Sequence, residues 1–515
     1  MSCTMIPQPY ACLQTDSIPL TGCMPLAQAK PFETTARFLR DTLPSLTDSL
    51  VFKYNESFGA EEYILRVNES TVCVEAKEDA GAFYALMSLR QLLDAQTDIN
   101  GTAIHDKPRY AHRGLMLDEC RHFFGKDEVL KILDKMAMLK MNRFHWHLSD
   151  DQGFRVESER FPLLNEIGSR REHKVLGDFM VRAKGEPYGG YYTKQDIREI
   201  QQFARARHIE IIPEIDLPGH ARAILASYPH IGCRDYGTTV WSKAGISSEI
   251  ICCGKEASRA FLFDLLDELC DLFEGRYFHI GGDEASYKNW KRCPDCRSEM
   301  DRRNLRNEKE LQSWFSATLS AHLKTRGKTA IIWNDCLTRD MDDDIVCQFW
   351  TLDHIERTKD LIGNRPRIYS PVTHLYLDNR YSRLPTQKVY AFRHEDFGLA
   401  GRDDSVLGVE ACVWTEWLED ADMLEYVLFP RLAAVAEIGW AHADKDERDF
   451  MERLRIRHDY LFGDTGYCAL DYHDKPPGFE KKRNRRHLFG ARGFEYKENL
   501  EYKQNAAQNG KGTRE

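Results

Sequence analysis

The sequence predicts an α/β protein in which a small α+β domain precedes a (β/α)8 TIM barrel. Beyond residue 109, short apolar segments alternate with amphipathic helical segments, and eight strand-like segments occur over roughly 330 residues. This alternation is typical of parallel strands covered by helices, and the number of strands suits a barrel. A doubly wound open sheet is the alternative, although no Gly-x-Gly-x-x-Gly segment follows an early strand to favour it.

The first domain is predicted to cover residues 1–107, and nothing in it suggests catalysis. Its predicted elements are the strands Ser49–Tyr54, Tyr63–Val67 and Val72–Glu75 and a helix near Ala80–Leu93, in which apolar residues recur at helical spacing. The segment Lys107-Pro108-Arg109 is the expected boundary. The barrel is then expected over residues 108–470, and a polar tail, partly helical or extended, over residues 471–515.

The barrel strands are predicted from short apolar runs. They are Gly114–Leu117, Arg143–Leu148, Glu210–Ile215, Tyr277–Ile280, Thr329–Trp333, Ile345–Trp350, Arg367–Tyr369 and Gly408–Trp414. Thr193 and Asp196 match a capping box that opens a helix. Further helices are predicted near Glu308–Leu323 and Met423–Ile438, and a polar, Gly-rich insertion near Ser169–Tyr192.

Composition limits the possible partners and compartments. A net charge of -10 and a pI near 6 argue against nucleic acid or an anionic membrane as the main partner. No run of about 18 apolar residues predicts a membrane span, and no signal peptide is recognisable. The 15 cysteines are scattered rather than arranged as a disulfide framework. We expect a cytoplasmic protein, or a secreted or periplasmic one if a leader has been removed. The oligomeric state stays open, with a homodimer as one alternative.

Polar and aromatic side chains follow almost every predicted strand. Active-site groups of such barrels cluster where the strands end. The residues at these ends are Asp118, Arg121, His145, His147, Asp150, Asp151, Glu214, Asp216, His220, His279, Asp283, Glu284, Trp333, Asn334, Trp350, Tyr376, Asp378, Glu410, Trp414 and Glu416. Aromatic rings pack against the apolar faces of sugars, and carboxylates bind sugar hydroxyls, so the pattern predicts a sugar pocket.

The segment from Tyr277 to Glu284 is the most informative of these ends. An apolar run leads into Gly281 and Gly282, and Asp283 and Glu284 follow directly. Alternation would point the two carboxylates in opposite directions, so both reach one ligand only if the strand has already ended. Their repulsion would raise the proton affinity of at least one, giving an acid/base beside an ionised group. The alternative reading is an Asp-Glu pair that opens a helix.

Five longer motifs occur in a recognisable order. They are Arg113-Gly114-Leu115-Met116-Leu117-Asp118 leading to Arg121-His122-Phe123, Phe144 to Gly153, Pro213 to His220, His279 to Ala285, and Gly408 to Glu416. Together they resemble the family 20 glycoside hydrolases, the β-N-acetylhexosaminidases, over about residues 109–440. The N-terminal α+β domain is also typical of that family.

The resemblance implies substrate-assisted retaining catalysis, an exception to the usual two-carboxylate scheme. Glu284 would protonate the glycosidic oxygen and later deprotonate water. The sugar's acetamido oxygen would attack the anomeric carbon, while Asp283 would orient the acetamido N–H and stabilise the developing positive charge. Tyr376 would hold the acetamido oxygen.

The remaining site residues fall into three implied groups. The tryptophans that would box the acetamido methyl group are Trp333, Trp350 and Trp414. The residues that would bind the hydroxyls of the terminal sugar, giving exo cleavage, are Arg121, Asp378 and Glu416. The residues that would set the geometry and charge of the catalytic pair are Asp150, His220 and His279, although Arg121 and Asp150 could simply pair with each other.

One departure from the family pattern concerns the leaving-group sugar. Between the Tyr-x-Asp and Trp-x-Glu motifs the family often has a tryptophan, whereas this interval contains Tyr390 and Phe392. The leaving-group site is therefore open, and the insertion near Ser169–Tyr192 could shape it. The preference for N-acetylglucosamine or N-acetylgalactosamine, the natural glycan, and a disaccharide-releasing specificity like that of lacto-N-biosidases also stay open.

Two other classes of function were considered. A metal-dependent barrel hydrolase could use His145 and His147, but no further ligands have clean spacing. A non-catalytic glycan-binding relative would be expected to have lost Glu284. We therefore expect a small carbohydrate or glycan substrate, no cofactor and no catalytic metal. Cys293 and Cys296 form a C-x-x-C pair that could hold a structural metal if Cys233, Cys252 or Cys253 completed the site.

Overall fold

The computed structural model describes residues 4–14, 21–28, 30–95, 99–177, 182–339, 341–351, 361–397 and 403–465. The predicted tail over residues 471–515 lies outside these ranges. No helix among the described residues combines the length and the apolar character that crossing a membrane requires. The predicted fold class is confirmed: an eight-stranded parallel barrel follows a smaller α+β domain.

The N-terminal domain is built on a six-stranded sheet with the order β1-β6-β4-β5-β3-β2. Its strands are β1 (Ala11–Gln14), β2 (Cys23–Pro25), β3 (Leu50–Tyr54), β4 (Tyr63–Val67), β5 (Val72–Ala76) and β6 (Thr102–Asp106). Its helices are α1 (Glu33–Thr42) and α2 (Asp79–Asp94). The buried face of α2, which includes Phe83 and Leu86, packs against β4 and β5. The three predicted strands and the helix are present, whereas β1, β2, β6 and α1 were not predicted.

Beyond the first domain the strands are short. They are β7 (His112–Asp118), β8 (Arg143–His147), β9 (Ser149–Asp150), β10 (Gly153–Phe154), β11 (Arg170–Arg171), β12 (Tyr188–Gly189), β13 (Glu210–Glu214), β14 (Tyr277–His279), β15 (Thr329–Trp333), β16 (Val346–Phe349), β17 (Arg367–Tyr369) and β18 (Val406–Val413). β7, β8 and β13 to β18 close a barrel in which every neighbouring pair is parallel. All eight strands coincide with predicted segments. β9 with β10 and β11 with β12 form two small antiparallel pairs outside the barrel.

The helices of this part are α3 (Lys126–Met138), α4 (Lys194–Arg205), α5 (Arg222–Ser227), α6 (Glu256–Leu272), α7 (Pro294–Arg303), α8 (Glu308–Thr325), α9 (Thr386–Tyr390), α10 (Ala421–Leu428), α11 (Arg431–Trp440) and α12 (Glu447–Phe462). The capping box is confirmed, since Thr193 Oγ1 accepts from the backbone N–H of Asp196 at 3.0 Å and Asp196 accepts from that of Thr193 at 3.1 Å. The single helix expected near residues 423–438 is instead α10 and α11. Pro430 separates them because proline has no N–H with which to continue a helix.

Among the described residues, the interior of the barrel contains histidines and glutamates that contact one another. His145 lies 2.8 Å from Glu410 and 3.1 Å from Glu214, and His112 lies 2.8 Å from Glu410. Burial alone would lower the pKa of His145, but the carboxylates of Glu410 and Glu214 raise it to about 9. His147 also contacts Glu214. His145 and His147 thus hydrogen-bond within the barrel, and this network lies beneath the candidate site.

The two ends of the barrel differ. A cavity of about 760 Å³ lies between the N-terminal domain and the amino ends of β8 and β13, where Glu61, Asn142 and Glu210 line it. Most of the residues predicted at strand ends lie at or beyond the carboxyl ends of the strands, whereas His145 and Glu410 lie within β8 and β18. Because the chemistry of such barrels belongs to the carboxyl ends, we place the candidate site there and not in this cavity.

Candidate active site

The chain turns sharply after β14, which ends at His279. Gly281 and Gly282 have φ values of +63° and +106°, and a Cβ on Gly281 would lie 1.8 Å from Asp216 Oδ1. Side chains other than hydrogen are therefore excluded at residue 281. The Gly282 N–H donates to Asp216 Oδ1 at 3.1 Å, and the Gly282 carbonyl accepts from Gln312 Nε2 at 2.6 Å. These bonds fix the backbone of the turn and so the directions in which the side chains of Asp283 and Glu284 point.

Asp283 and Glu284 point towards one common group. His220 Nε2 lies 3.7 Å from Asp283 Oδ2 and 3.6 Å from Glu284 Oε2. Glu284 has a left-handed backbone with φ of +47°, and its N–H donates to Asp335 Oδ2 at 3.2 Å. Such a conformation is uncommon for a non-glycine residue and is typical of functional sites. The strand has therefore ended before the pair, as the sequence required for both to reach one ligand.

Asp283 has the raised proton affinity. Burial raises the pKa of Asp283 to about 7. His220 acts to lower this pKa, whereas Glu284 and Asp335 act to raise it. The pKa of neighbouring Asp216 is raised well above its ordinary value by burial and by Asp283. Asp216 Oδ2 and Asp283 Oδ1 are both buried without another hydrogen-bond partner. Because the pKa of Asp216 is raised, its carboxyl is protonated, and its hydrogen bond with Asp283 lowers the pKa of Asp283.

His220 is the cation of this group. Burial alone would lower the pKa of His220, but Asp150, Asp283 and Asp216 hold it well above its ordinary value. Its Nδ1 lies 3.2 Å from Asp150 Oδ1. Burial favours the protonated form of Asp150, yet Arg121 and His220 hold its pKa well below the ordinary range. A positive imidazolium between ionised Asp150 and the side chains of Asp283 and Glu284 is the stable arrangement.

Arg121 connects this charge network to the aromatic side of the pocket. Its guanidinium lies 2.8 Å from Asp150, 3.2 Å from Asp118 and 3.9 Å from Glu416. It also lies 5.0 Å above the ring of Trp414, a cation–π distance. The sequence left open whether Arg121 pairs with Asp150 or serves a ligand. The pair with Asp150 is present, and the same guanidinium faces Glu416 at the rim.

Four aromatic rings form one wall. The centroids of Trp333 and Trp414 are 6.1 Å apart, those of Tyr376 and Trp414 6.1 Å, and those of Trp350 and Tyr376 6.3 Å. The Trp333 indole N–H donates to Glu214 at 2.8 Å. Because the polar edge of this indole is occupied, the ring turns an apolar face to its neighbours. The three predicted tryptophans and the predicted tyrosine are thus brought together.

Asp335 joins the aromatic wall to the carboxylate pair. Its Oδ1 accepts from the Trp350 indole N–H at 2.8 Å, while its Oδ2 accepts from the backbone N–H of Glu284. Burial raises the pKa of Tyr376 well above its ordinary value, and Cys412 and Asp283 raise it further. Tyr376 is therefore a neutral O–H donor close to Asp283. Asp335 was not predicted, although its position directly after a strand-end Trp-Asn pair was a usable signal.

The other predicted residues lie at the edges of this arrangement. Asp378 Oδ1 accepts from the backbone N–H of Trp414 at 3.4 Å, which brings it to the same rim as Glu416. His279 Nδ1 lies 2.9 Å from Glu214, and the Gly281 N–H donates to the same nitrogen at 3.0 Å. His279 thus acts on the turn that carries the pair, and its described polar contacts do not include the two carboxylates themselves.

The two aromatic residues considered for the leaving-group side lie in the core. The ring of Tyr390 stacks on Phe450 with centroids 4.4 Å apart, and Phe392 is buried next to Tyr369. In the described part of the insertion, β11 and β12 are tied to the barrel by Arg155, which donates to the carbonyls of Ser169 and Gly190. The insertion therefore remains the candidate for shaping the leaving-group side.

Comparison with known proteins points in one direction. The family model described as "Glycosyl hydrolase family 20, catalytic domain" matches residues 110–443, and the model described as "Glycosyl hydrolase family 20, domain 2" matches residues 19–107. A "Beta-hexosaminidase" of Porphyromonas gingivalis is 37% identical over 446 residues, covering 80% of this chain and 54% of that protein. The chain thus spans about half the length of this relative.

Other relatives match over almost their full length. A "Beta-hexosaminidase" of Akkermansia muciniphila is 32% identical over 503 residues, covering 91% of this chain and 99% of that protein. The solved structure of a Streptomyces plicatus β-hexosaminidase mutant in complex with product (GlcNAc) superposes with a TM-score of 0.74 at 28% identity. It covers 91% of this chain and 97% of that one.

Proposed function

This chain belongs to glycosyl hydrolase family 20 and is a glycoside hydrolase of the β-N-acetylhexosaminidase type, and from that premise we propose that it removes terminal β-linked N-acetylhexosamine residues from glycans with retention of configuration. The observation that carries this proposal is the convergence of Asp283 and Glu284 on His220 Nε2, within 4 Å of both carboxylates. Both acidic groups can thereby serve one bound sugar.

Glu284 is the proposed acid and base. Its side chain is about one quarter exposed, whereas Asp283 is almost fully buried. The more exposed carboxyl is the one that can reach a leaving group extending into solvent and, later, a water molecule. In the first step Glu284 gives its proton to the glycosidic oxygen as the bond from that oxygen to the anomeric carbon breaks. In the second step its carboxylate takes a proton from the attacking water.

The nucleophile in this proposal is the acetamido oxygen of the substrate. It forms a bond to the anomeric carbon as the leaving group departs, which gives a cyclic oxazolinium intermediate. Water then opens this ring at the anomeric carbon, so two inversions retain the configuration. An intramolecular nucleophile has a high effective concentration, so the protein supplies mainly orientation and charge stabilisation.

Asp283 is the proposed partner of the acetamido N–H. Burial raises the pKa of this carboxyl to about 7 in the free enzyme. The positive charge that develops on the acetamido group favours the ionised form and lowers this pKa. The carboxylate thus gains its charge where the transition state needs it, which is differential stabilisation of that state.

The aromatic wall supplies the remaining contacts. Tyr376 stays a neutral O–H donor, which suits it to hold the acetamido oxygen near the anomeric carbon. The rings of Trp333, Trp350 and Trp414 are proposed to enclose the acetamido methyl group. A methyl group excluded from water in this way contributes to binding through apolar burial.

The rim residues are proposed to select the terminal sugar. Arg121, Asp378 and Glu416 provide a fixed donor and two acceptors on the Trp414 side of the pocket. Such groups suit the free hydroxyls of a non-reducing end, which favours release of a single sugar over release of a disaccharide. The GlcNAc-bound Streptomyces structure supports N-acetylglucosamine as one substrate. Acceptance of N-acetylgalactosamine depends on the contacts to the 4-hydroxyl.

Paired chromogenic substrates test the proposal. The β-N-acetylglucosaminide and β-N-acetylgalactosaminide are compared with the β-glucoside, which lacks the acetamido group, and with the chitobioside. We expect hydrolysis of one or both N-acetylhexosaminides, initial release of the β-anomer in the NMR spectrum, and no cleavage of the glucoside. Comparable rates on the glucoside would contradict the assisted mechanism. Release of intact chitobiose would contradict the single-sugar pocket.

A further inference from the structure

Four cysteine side chains meet beside the loops that follow β13 and β14. The Sγ atom of Cys252 lies 3.6 Å from that of Cys296 and 3.7 Å from that of Cys293, and Cys233 Sγ lies 3.8 Å from Cys296 Sγ. All four sulfur atoms lie within 4.8 Å of one another. Cys252, Cys293 and Cys296 are buried, and Cys233 is partly exposed.

These distances are those of a tetrahedral metal site. Four sulfur ligands at 2.3 Å from a zinc ion would lie about 3.8 Å apart at the corners of a tetrahedron. A disulfide would require about 2.05 Å between two sulfur atoms. The three measured separations, 3.6 to 3.8 Å, agree with the first arrangement and exclude the second.

Two of the four cysteines lie at the N-terminus of a helix, and backbone N–H groups point at the sulfur atoms. Cys293 is the N-cap of α7 and Cys296 lies in its first turn, where the helix dipole stabilises negative charge. The backbone N–H of Gly254 hydrogen-bonds to Cys296, and that of Lys255 to Cys252. Four buried or half-buried sulfurs also offer no open coordination position, which is typical of a structural site rather than a catalytic one.

We propose that Cys233, Cys252, Cys293 and Cys296 bind one structural zinc ion. Zinc is the favoured metal because four thiolates in tetrahedral geometry are its usual structural ligand set. The proposal rests on the cysteine geometry and is independent of the reaction assigned to the barrel.

The site joins the two loops that carry His220 and Glu284. The Ile251 N–H, one residue before Cys252, donates to the Pro218 carbonyl at 3.1 Å, and the Trp290 indole N–H donates to the Ile251 carbonyl at 2.8 Å. Pro218 precedes His220 by two residues, and Trp290 follows Glu284 by six. A zinc ion at this point would hold both loops in register without touching the substrate.

The metal content of the purified full-length protein tests this proposal. Elemental analysis after extensive dialysis is expected to give one zinc per chain. Titration of the native protein with an organomercurial thiol reagent, with a colorimetric zinc indicator present, is expected to release that zinc as the cluster reacts. Thermal unfolding should shift to lower temperature after release and recover when zinc and a reducing agent are restored.

Matched variants locate the site. Cys233→Ser, at the partly exposed corner, and Cys252→Ser are expected to lose zinc or bind it at least tenfold more weakly. Cys253→Ser is the control, because Cys253 neighbours Cys252 in sequence but is not one of the four clustered sulfurs. It should keep one zinc per chain. If a ligand variant fails to fold, the zinc-release experiment on the unaltered protein still tests the proposal.

Three results would overturn the proposal. They are a protein without bound zinc after purification from zinc-supplemented medium, thiol modification that releases no zinc, and a stoichiometric content of iron instead. Loss of zinc from Cys253→Ser together with its retention in Cys252→Ser would contradict the ligand assignment.

Discussion

His220 Nε2 lies 3.7 Å from Asp283 Oδ2 and 3.6 Å from Glu284 Oε2, while the other ring nitrogen lies 3.2 Å from Asp150 Oδ1. One imidazolium therefore faces the two carboxylates assigned to catalysis and is itself held by an ionised aspartate. This relationship shows that the side chains of two adjacent acidic residues are turned towards the same group. It also makes the pKa of Asp283 depend on a residue more than sixty positions earlier in the chain.

Glu284→Gln is expected to reduce turnover of unactivated β-N-acetylhexosaminides by roughly 10²- to 10⁴-fold, because the amide cannot donate the proton that the leaving oxygen requires. Substrates with a nitrophenol leaving group should lose less activity in the first step. Steady-state kinetics on both substrate types measure the difference. Glu274→Gln, at the other end of the barrel, is the control and should behave like the unaltered enzyme. Equal loss on both substrate types would remove Glu284 from the proton-donor role.

Asp283→Asn is expected to reduce turnover by about 10²- to 10³-fold, since it removes a charge stabiliser from the reacting centre. The same substitution should stabilise the folded protein. The pKa of Asp283 is raised to about 7 in the folded protein, so the carboxyl destabilises the fold increasingly as the pH rises from about 4 to 7.

Thermal unfolding of Asp283→Asn therefore tests the burial of this carboxyl. At pH 8 the variant should unfold at a higher temperature than the unaltered protein, and the difference should shrink at pH 4, where both side chains are neutral. An unchanged turnover number would withdraw the catalytic role. A stability difference that does not depend on pH would contradict the raised pKa.

His220→Gln is expected to move the acidic limb of the kcat/KM profile towards higher pH. The imidazolium of His220 lowers the pKa of Asp283, whereas Glu284 and Asp335 raise it. Because a neutral amide at residue 220 removes the lowering effect, the pKa of Asp283 should rise. Activity that requires ionised Asp283 would then begin at higher pH. The pH dependence of kcat/KM, which reports the free enzyme, measures the shift. A lower rate with an unmoved limb would mean that His220 acts only through packing.

Brief exposure to a chelator is expected to leave the initial rate unchanged, because no step of the proposed reaction uses a metal ion. The initial rate is measured within minutes of adding EDTA, and zinc content is measured on the same sample. Immediate loss of activity that zinc restores at once would favour the metal-dependent hydrolase instead. A slow decline that parallels loss of structural zinc would instead reflect loosening of the loops that carry His220 and Glu284.

Much of the fold could be predicted because its strands and helices are visible as local patterns of apolar residues in the sequence. The eight barrel strands are short apolar runs separated by helical segments, and polar residues follow most of these runs within a few positions. The split between α10 and α11 was missed because the apolar periodicity continues across Pro430, so that the pattern hides the missing N–H.

The residues of the candidate site could be predicted from the sequence, but the hydrogen bonds and ion pairs between them could not. The order of the barrel strands brings Asp283, Glu284 and the tryptophans to one end, and this follows from the alternation alone. The hydrogen bond between Asp216 and Asp283 and the bridge through Asp335 depend on distances that no spacing in the sequence encodes. Likewise, Cys252 and Cys253 were equally plausible partners for Cys293 and Cys296, and only the folded chain distinguishes them.

The central claim is that the acetamido oxygen of the substrate is the nucleophile. It is tested most directly with aryl β-glycosides whose N-acetyl group carries zero, one, two or three fluorine atoms, since each fluorine makes the carbonyl oxygen less nucleophilic at little change in size. We predict that log kcat/KM falls steeply and steadily with each added fluorine. Rates that stay the same across the series would contradict the account, because a nucleophile supplied by the protein would not respond to the acyl group.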